Sequence, residues 1–332
     1  MTMRIAVTGS IATDHLMVFP GSITDQLVPE RLERVSLSFL VDDLHIHRGG
    51  VAANIAFGLA QLGLTPVLVG AVGADFGDYR AWLESHGVDT ASVHVSATRH
   101  TARFLCTTDE AQNQIASFYA GAMSEARDID LARVAAHHGG LDLVVIAPND
   151  PDAMLRHTRD CRAHGYRFAA DPSQQLARLT GPQARTLVEG AELLFTNEYE
   201  HDLLLSVTGW TRDAVLSRVG RWITTLGENG VRIESRTEPA LTIPAVPTGV
   251  VVDPTGVGDA FRAGFLAGLS RRTGIEQAAR MGATLASLVL ESAGGQEYVF
   301  TPGEFLSRLH VTYGPAAATD IEHRVLVGDA GL

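Results

Sequence analysis

The stretch DPTGVGDAFRAGF, residues 253–265, decides the fold that the sequence predicts. It follows an apolar, strand-like run, contains Gly256 and Gly258, and passes into a helical pattern near Asp259. A strand that leads through a glycine turn into a helix leaves the first N–H groups of that helix without partners. The backbone N–H groups of Gly256, Val257 and Gly258 would then form an anion hole for a phosphoryl group in transfer.

Asp259 directly follows this turn, so we expect its carboxylate at the edge of the anion hole. There it would accept a proton from an attacking hydroxyl group. The alternative is an ordinary capped turn, in which Asp259 only stabilises the helix dipole. Arg262, one turn further along the helix, is an additional candidate for a phosphate contact.

Apolar runs and helical patterns alternate along the rest of the chain. The runs include RIAVTGSI (4–11), TPVLVGAVG (65–73) and LDLVVIAP (141–148). Their nearly continuous hydrophobicity is typical of parallel strands that are covered on both faces. We therefore predict an α/β fold, in which a doubly wound, mostly parallel sheet carries helices on both faces. Because no low-complexity linker divides the chain, we expect a single domain over residues 1–332.

Segments at about 14–20, 33–48 and 100–120 depart from this rhythm. In the second and third of them apolar and polar residues alternate, which indicates strands with one wet face. We expect the three segments to form a small β-sheet inserted into the α/β body. Such a sheet would act as a lid over a site at the carboxyl ends of the main strands.

Composition excludes several classes of protein. The 26 Lys and Arg residues against 38 Asp and Glu residues give a net charge of −12, which offers no basic face for nucleic acid or a membrane surface. The chain contains no lysine, so P-loop, Schiff-base and pyridoxal-phosphate chemistry are excluded. Two cysteines make no disulfide framework, and the N-terminus has no signal-peptide pattern. We therefore expect a cytoplasmic protein.

Several ordered motifs resemble those of the ribokinase (PfkB) family of sugar and nucleoside kinases. DPTGVGDAF resembles the C-terminal signature of that family, and GGVAANIAFGLAQLG (49–63) resembles the N-terminal one. Three shorter family segments are matched by GAVGADFGDY (70–79), TNEYE (196–200) and TTLGENG (224–230). The resemblance implies a ribokinase-like fold and an ATP-dependent phosphoryl transfer that needs no Walker lysine.

Within the family, strings such as VSLSFLVDDL and ADPSQQLARL resemble the adenosine kinases of actinobacteria such as mycobacteria. This implies transfer of the γ-phosphoryl group of ATP to the 5′-hydroxyl of adenosine, which gives AMP and ADP in purine salvage. The alternatives are a kinase of another nucleoside and a ribokinase-like sugar kinase. A non-catalytic nucleoside-binding regulator would share the fold. An NAD-dependent oxidoreductase is disfavoured, because only Gly9 stands where G-x-G-x-x-G is needed.

The resemblance also implies which residues bind the nucleoside. Asp14 would bind two ribose hydroxyls, and Gly50 with Asn54 would complete the sugar pocket. Phe104 and Phe118 would stack on the two faces of a purine; the alternative is that both belong to the core of the lid. Further contacts near the purine and ribose edges are implied for Ser10, Ser38, Gln174 and Gln175.

On the nucleotide side, the resemblance implies contacts to ATP from Asn197, Thr225, Gly227, Gly230, Thr255, Gly256 and Gly258. Asn197 and Glu200 would organise Mg²⁺, largely through water. The stretch ESAGGQEY (291–298) would supply carbonyls to a monovalent cation such as K⁺. We also expect a homodimer, because exposed edges of the lid strands would pair with a second copy.

Overall fold

The computed structural model describes residues 2–27, 33–34 and 36–322. Position 35, inside one segment predicted for the lid, lies outside these residues. The strands of the described chain are β1 (Ile5–Thr8), β2 (Ala12–Phe19), β3 (Asp43–Gly49), β4 (Val67–Val72), β5 (Val93–Val95), β6 (Ala102–Asp109), β7 (Gln114–Tyr119), β8 (Leu143–Ile146), β9 (Phe168–Ala170), β10 (Leu193–Asn197), β11 (Arg221–Thr225), β12 (Val231–Glu234) and β13 (Leu241–Ile243).

The helices of the described chain are α1 (Val51–Gln61), α2 (Gly77–Ser85), α3 (Leu131–His137), α4 (Pro151–His164), α5 (Gly181–Val188), α6 (Glu198–Thr208), α7 (Arg212–Leu216), α8 (Val257–Ser270), α9 (Ile275–Val289), α10 (Pro302–Tyr313) and α11 (Pro315–Ile321). Their ends follow local chemistry. The Asp150 side chain caps α4, whose first residue is Pro151, and Gly165 ends that helix in the left-handed conformation. None of these helices has the length and apolar character needed to cross a bilayer.

A nine-stranded sheet has the order β13-β12-β11-β10-β9-β8-β1-β4-β5. The strands from β11 to β5 run parallel, and β12 and β13 extend the sheet in antiparallel pairing. The apolar runs at 4–11, 65–73 and 141–148 contain β1, β4 and β8. The predicted α/β fold with a mostly parallel sheet is therefore confirmed.

Successive residues of β1 belong to two different hydrophobic clusters. Ile5 and Val7 pack in a cluster with residues of α1, α8 and α9, whereas Ala6 packs in a cluster with residues of α4 and α5. Because successive side chains of a strand point to opposite faces, the large sheet is covered by helices on both sides. This burial explains why the strands of the large sheet are apolar throughout. Polar side chains are therefore found at the ends of these strands.

A second, four-stranded sheet has the order β3-β2-β6-β7, and we call it the small sheet. Strands β2 and β6 run parallel, whereas β2–β3 and β6–β7 are antiparallel. Within the segment predicted at 33–48, the strand begins only at Asp43. Residues 36–41 have no regular secondary structure, and the ring centroids of Phe39 and Phe19 lie 5.0 Å apart. The alternating pattern there therefore reflects a half-buried loop over β2.

Candidate active site

Polar side chains gather where the parallel strands of the large sheet end and α8 begins. They come from loops after β1, β9 and β10, from α1 and from the first turn of α8. The small sheet starts beside them, because β2 follows β1 after a short link and β3 leads directly into α1. The carboxyl ends of parallel strands are the usual position of ligand sites in such folds.

The N-terminus of α8 has the geometry of an anion site. Gly256 precedes the helix with φ +77°, and a Cβ there would lie 2.7 Å from Cα of Gly295. No side chain caps the helix, and its first intrahelical bond runs from Ala260 N–H to the Gly256 carbonyl at 2.8 Å. The N–H groups of Gly258 and Asp259 precede that bond and point out of the helix. Val257 N–H makes only a 3.4 Å contact with the Pro254 carbonyl.

The loop before this helix is fixed by Asp253. Its carboxylate accepts hydrogen bonds from the N–H groups of Thr255 and Gly294, both at 2.8 Å. Partial burial favours the neutral acid, yet these bonds outweigh it and hold the pKa of Asp253 below its ordinary value. Asp253 therefore joins the loop before α8 to the loop after α9. Thr255 itself is exposed.

The Asp259 carboxylate lies in the first turn of α8 and accepts a 2.9 Å hydrogen bond from Nδ2 of Asn54 in α1. Burial raises the pKa of Asp259 to about 6. The charge of Arg262 and the bond from Asn54 oppose this rise, whereas the nearby carboxylates of Asp14 and Glu200 add to it. A carboxyl group with this pKa is ionised at neutral pH and can still accept a proton, as a general base must.

Beneath this carboxylate lies a buried ion pair that the sequence patterns did not assign. Nη2 of Arg262 donates to Oδ1 of Asp171 at 2.6 Å, with Asp171 fully buried and Arg262 7% exposed. A Cβ at Gly258 would lie 2.8 Å from Nη1 of Arg262, so the glycine leaves room for the guanidinium. Burial raises the pKa of Asp171 to about 7 against the charge of Arg262. The polar stretch that directly follows β9 is the one sequence signal that points to Asp171.

Asp14 occupies a row of residues that crosses the small sheet. His47, Asp14, Phe104 and Phe118 lie directly opposite one another on β3, β2, β6 and β7, so their side chains share a face. Burial raises the pKa of Asp14 to about 6, with the charge of His47 opposing this rise. A Cβ at Gly49 would lie 2.6 Å from the Asp14 carboxylate. Phe104 is partly buried and Phe118 is 51% exposed, so the two rings do not form a closed core.

The junction between β1 and α1 explains two predicted residues. Oγ of Ser10 accepts a 3.0 Å bond from Val51 N–H, so Ser10 holds the start of α1. Gly50 has φ +93°, and a Cβ there would lie 2.6 Å from the backbone of Ser10 and Ala12. Only glycine allows this close approach of the helix start to β1. Asn54 is brought beside Asp259 by this junction.

Three other predicted residues lie apart from these groups. Ser38 is exposed in the irregular segment 36–41, and Gln174 is exposed in the turn after β9. Neither hydrogen-bonds another candidate residue in the described chain. Gln175 is 6% exposed, and its Oε1 atom has no hydrogen-bond partner among the described residues.

Asn197 and Glu200 form a capping box at the start of α6. Oδ1 of Asn197 accepts from Glu200 N–H, and the Glu200 carboxylate accepts from Asn197 N–H, both at 2.8 Å. Oγ of Ser173 also donates to Glu200 at 3.1 Å. No cluster of three or more metal-ligating side chains occurs in the described chain. The Glu200 carboxylate could serve Mg²⁺, which keeps several waters and is bound by substrate phosphates together with one or two carboxylates.

The loop after β11 carries the remaining predicted nucleotide contacts. Thr225 ends the strand, and its Oγ1 donates to the Thr196 carbonyl at 3.5 Å. Gly227 and Gly230 have φ +57° and +89° and bracket a single turn. A Cβ at Gly230 would overlap the Ile243 carbonyl, so this glycine holds the loop against β13. Gly227 has open space around it.

Comparison with known proteins identifies the family. Residues 12–301 match the model of the pfkB family of carbohydrate kinases. A nucleoside kinase of Methanothermobacter thermautotrophicus is 32% identical over 269 residues, which cover 80% of this chain and 85% of that protein. A nucleoside kinase of Methanocaldococcus jannaschii is 29% identical over 283 residues, 84% of this chain and 91% of that protein.

Solved structures agree with this result. The nucleoside kinase of Burkholderia thailandensis in complex with inosine is 33% identical, with a TM-score of 0.81 over 94% of this chain and 98% of that chain. The M. jannaschii nucleoside kinase has a TM-score of 0.81 at 26% identity, over 93% of this chain and 99% of that chain. The chain is therefore a member of the pfkB family of carbohydrate kinases, and an ATP-dependent phosphotransferase with an alcohol group as acceptor.

Proposed function

We propose that this protein is an adenosine kinase, which transfers the γ-phosphoryl group of ATP to the 5′-hydroxyl of adenosine and releases AMP and ADP for purine salvage. The observation that carries the proposal is the Asp259 carboxylate in the first turn of the uncapped helix α8, bonded to Asn54 at 2.9 Å. Nucleophile activation and phosphate binding thus meet at one helix N-terminus.

In the proposed reaction, Asp259 accepts the proton of the 5′-hydroxyl group of adenosine. At the same time the 5′-oxygen of adenosine forms a bond to the γ-phosphorus of ATP. The bond from that phosphorus to the leaving oxygen breaks, and ADP departs. The backbone N–H groups of Gly256, Val257 and Gly258 hold the transferred group as its charge develops. The small sheet covers the site and excludes water that would otherwise hydrolyse ATP.

Asn197 and Glu200 would hold Mg²⁺ largely through water, and the ion would neutralise charge on the phosphates. Thr225, Gly227, Gly230 and Thr255 would contact ATP. The carbonyls of the 291–298 loop would bind a monovalent cation such as K⁺, beside the loop that Asp253 ties to Gly294.

A nucleoside acceptor is supported by the row of side chains on the small sheet. Asp14 would accept hydrogen bonds from two ribose hydroxyls, and Phe104 and Phe118 lie next along the same face, where a base would stack. Ser10, Gly50 and Asn54 would complete the sugar side, and Ser38, Gln174 and Gln175 would approach the base. The similar proteins are named nucleoside kinases, and one was solved with inosine.

The test is phosphoryl transfer from ATP and Mg²⁺ to adenosine, guanosine, inosine, ribose and fructose 6-phosphate, with products identified by mass. We expect selective formation of AMP, which Asp259→Asn reduces by about 10²–10⁴-fold. Phe104→Ala should raise the KM for adenosine and leave the KM for ATP unchanged. If phosphoryl transfer occurred only to inosine, the protein would be a kinase of another nucleoside and not an adenosine kinase. Transfer confined to ribose would refute the stacking role of Phe104 and Phe118.

We also propose that two copies associate through their small sheets. On the face opposite Asp14, Leu44, Ile46 and Ile115 are 50%, 58% and 43% exposed. Apolar side chains on an exposed sheet would be covered in a dimer. Sedimentation at micromolar concentration should give a dimer that Ile46→Glu converts to monomer; a monomer in the wild type would refute the association.

A further inference from the structure

A chain of hydrogen bonds leads from the small sheet to Asp259. It begins at the backbone carbonyl of Gly49, the last residue of β3, which accepts a 2.9 Å bond from the Tyr79 hydroxyl. Nε2 of Gln296 lies 2.5 Å from that hydroxyl oxygen and 2.9 Å from Oδ1 of Asn54. Nδ2 of Asn54 then donates to Asp259.

The backbone carbonyl of Gly49 sets the direction of the other bonds in this chain of hydrogen bonds. A carbonyl only accepts, so the Tyr79 hydroxyl donates to the Gly49 oxygen, and the Tyr79 oxygen must accept from Gln296. Gln296 therefore presents its NH₂ group to Tyr79 and Asn54. Asn54 must present its oxygen to Gln296, which leaves its own NH₂ group for Asp259.

The reverse orientation of the two amides is possible but less favourable. In it, the Gln296 oxygen would accept from Tyr79 and Asn54, and Asn54 would turn its oxygen toward Asp259. Gln296 is 1% exposed, so both of its N–H groups would then be buried without partners. The observed orientation leaves only Oε1 of Gln296 unpaired. Two orphaned donors cost more than one orphaned acceptor.

We propose that Tyr79 and Gln296 are positioning residues that orient the Asn54 amide at the Asp259 carboxylate. With its NH₂ group toward Asp259, Asn54 stabilises the ionised carboxylate; with its oxygen there, it would stabilise the protonated acid. Because this chain of hydrogen bonds starts at the end of β3, it couples the orientation of the Asn54 amide to the position of the small sheet. This inference rests on the proposed role of Asp259 as the base.

Tyr79→Phe is the sharpest test, because it removes only the hydroxyl that sets the direction. We expect kcat to fall on the order of tenfold, with the KM for ATP unchanged. We also expect the acid limb of the kcat/KM pH profile to move to higher pH. The groups facing Asp259 that also shape this limb are Arg262 on its own helix, Asn54 on α1, Asp14 on β2, Asp171 after β9 and Glu200 on α6. Gln296→Met should act in the same direction.

The matched control is Tyr313→Phe, which removes a half-buried tyrosine hydroxyl that likewise donates to a backbone carbonyl, that of Pro244 at 2.7 Å, and takes no part in this chain of hydrogen bonds. In the Asp259→Asn background, Tyr79→Phe should cause no further loss of the residual turnover, because its effect passes through Asp259. Tyr79→Phe with wild-type kcat, or with an equal loss in both backgrounds, would overturn the inference. Inactivity of the wild type on every acceptor would instead refute the proposed function. Thermal melts show which variants are folded.

Discussion

Replacement of Arg262 by Met would leave Asp171 fully buried without the guanidinium that now lies 2.6 Å from it. Removal of one partner from a buried pair costs about 3–5 kcal/mol, because an uncompensated charge remains. For a chain of this size, each kcal/mol shifts Tm by about 2 °C, so Tm should fall by roughly 6–10 °C.

The expected loss depends on pH, because Asp171 can escape the penalty by taking up a proton. Its pKa is already raised to about 7 by burial, and loss of Arg262 would raise it further. We therefore expect a smaller loss of Tm at pH 5.5 than at pH 8. The acid limb of kcat/KM should also move to higher pH, since Arg262 opposes the rise in the pKa of Asp259.

The matched variant is Asp171→Asn combined with Arg262→Met, which removes both charges. Scanning calorimetry at both pH values should find this double variant more stable than Arg262→Met alone at pH 8, since no buried charge is left. A single variant with the wild-type Tm, or a double variant no more stable than the single one, would refute the reasoning. Either result would mean that water already solvates Asp171.

Three further outcomes follow from the same geometry. Because burial raises the pKa of Asp259 to about 6, kcat/KM should fall about tenfold for each pH unit below pH 6. The profile should be measured from pH 4.5 to 8, and a value of kcat/KM that stays constant down to pH 5 would contradict the role of Asp259 as base. Asp14 and Asp171 bind protons more tightly in the folded protein than in the unfolded chain, so the free energy of unfolding in urea should decrease as pH rises from about 4 to 7; an increase would show that other groups dominate. Gly256→Ala should cost about 1–2 kcal/mol of stability for its positive φ and reduce kcat, whereas Gly303→Ala, with open space around it, should do neither.

The large sheet could be predicted from the sequence because its chemistry is local. Strands such as β1 and β8 are buried on both faces, so apolar runs mark them directly. The small sheet was harder to predict. Apolar and polar residues alternate throughout the segment at 33–48, but only Asp43–Gly49 pairs with another strand. The local sequence pattern does not indicate where such pairing begins or ends.

The site divides in the same way. Gly256, Gly258 and Asp259 are adjacent in the chain, so a single motif identifies them. Asp171 and Arg262 are 91 positions apart, and Gln296 is 242 positions from Asn54. In the sequence, each of these residues could equally be an ordinary polar residue without a role in the site. Only the fold brings the members of each pair into contact.

A kinase without lysine must stabilise phosphate charge by other means, and the surroundings of Asp259 indicate how. Carboxylates of Asp14, Asp171 and Glu200 lie near it, together with the guanidinium of Arg262. Much of the charge of Arg262 is balanced by Asp171 at 2.6 Å. The uncapped start of α8 then supplies the positive potential through backbone N–H groups, which no change of pH can neutralise. On this argument pH acts on the base and not on the anion hole, so an acid pH should reduce phosphoryl transfer before it weakens the binding of ATP.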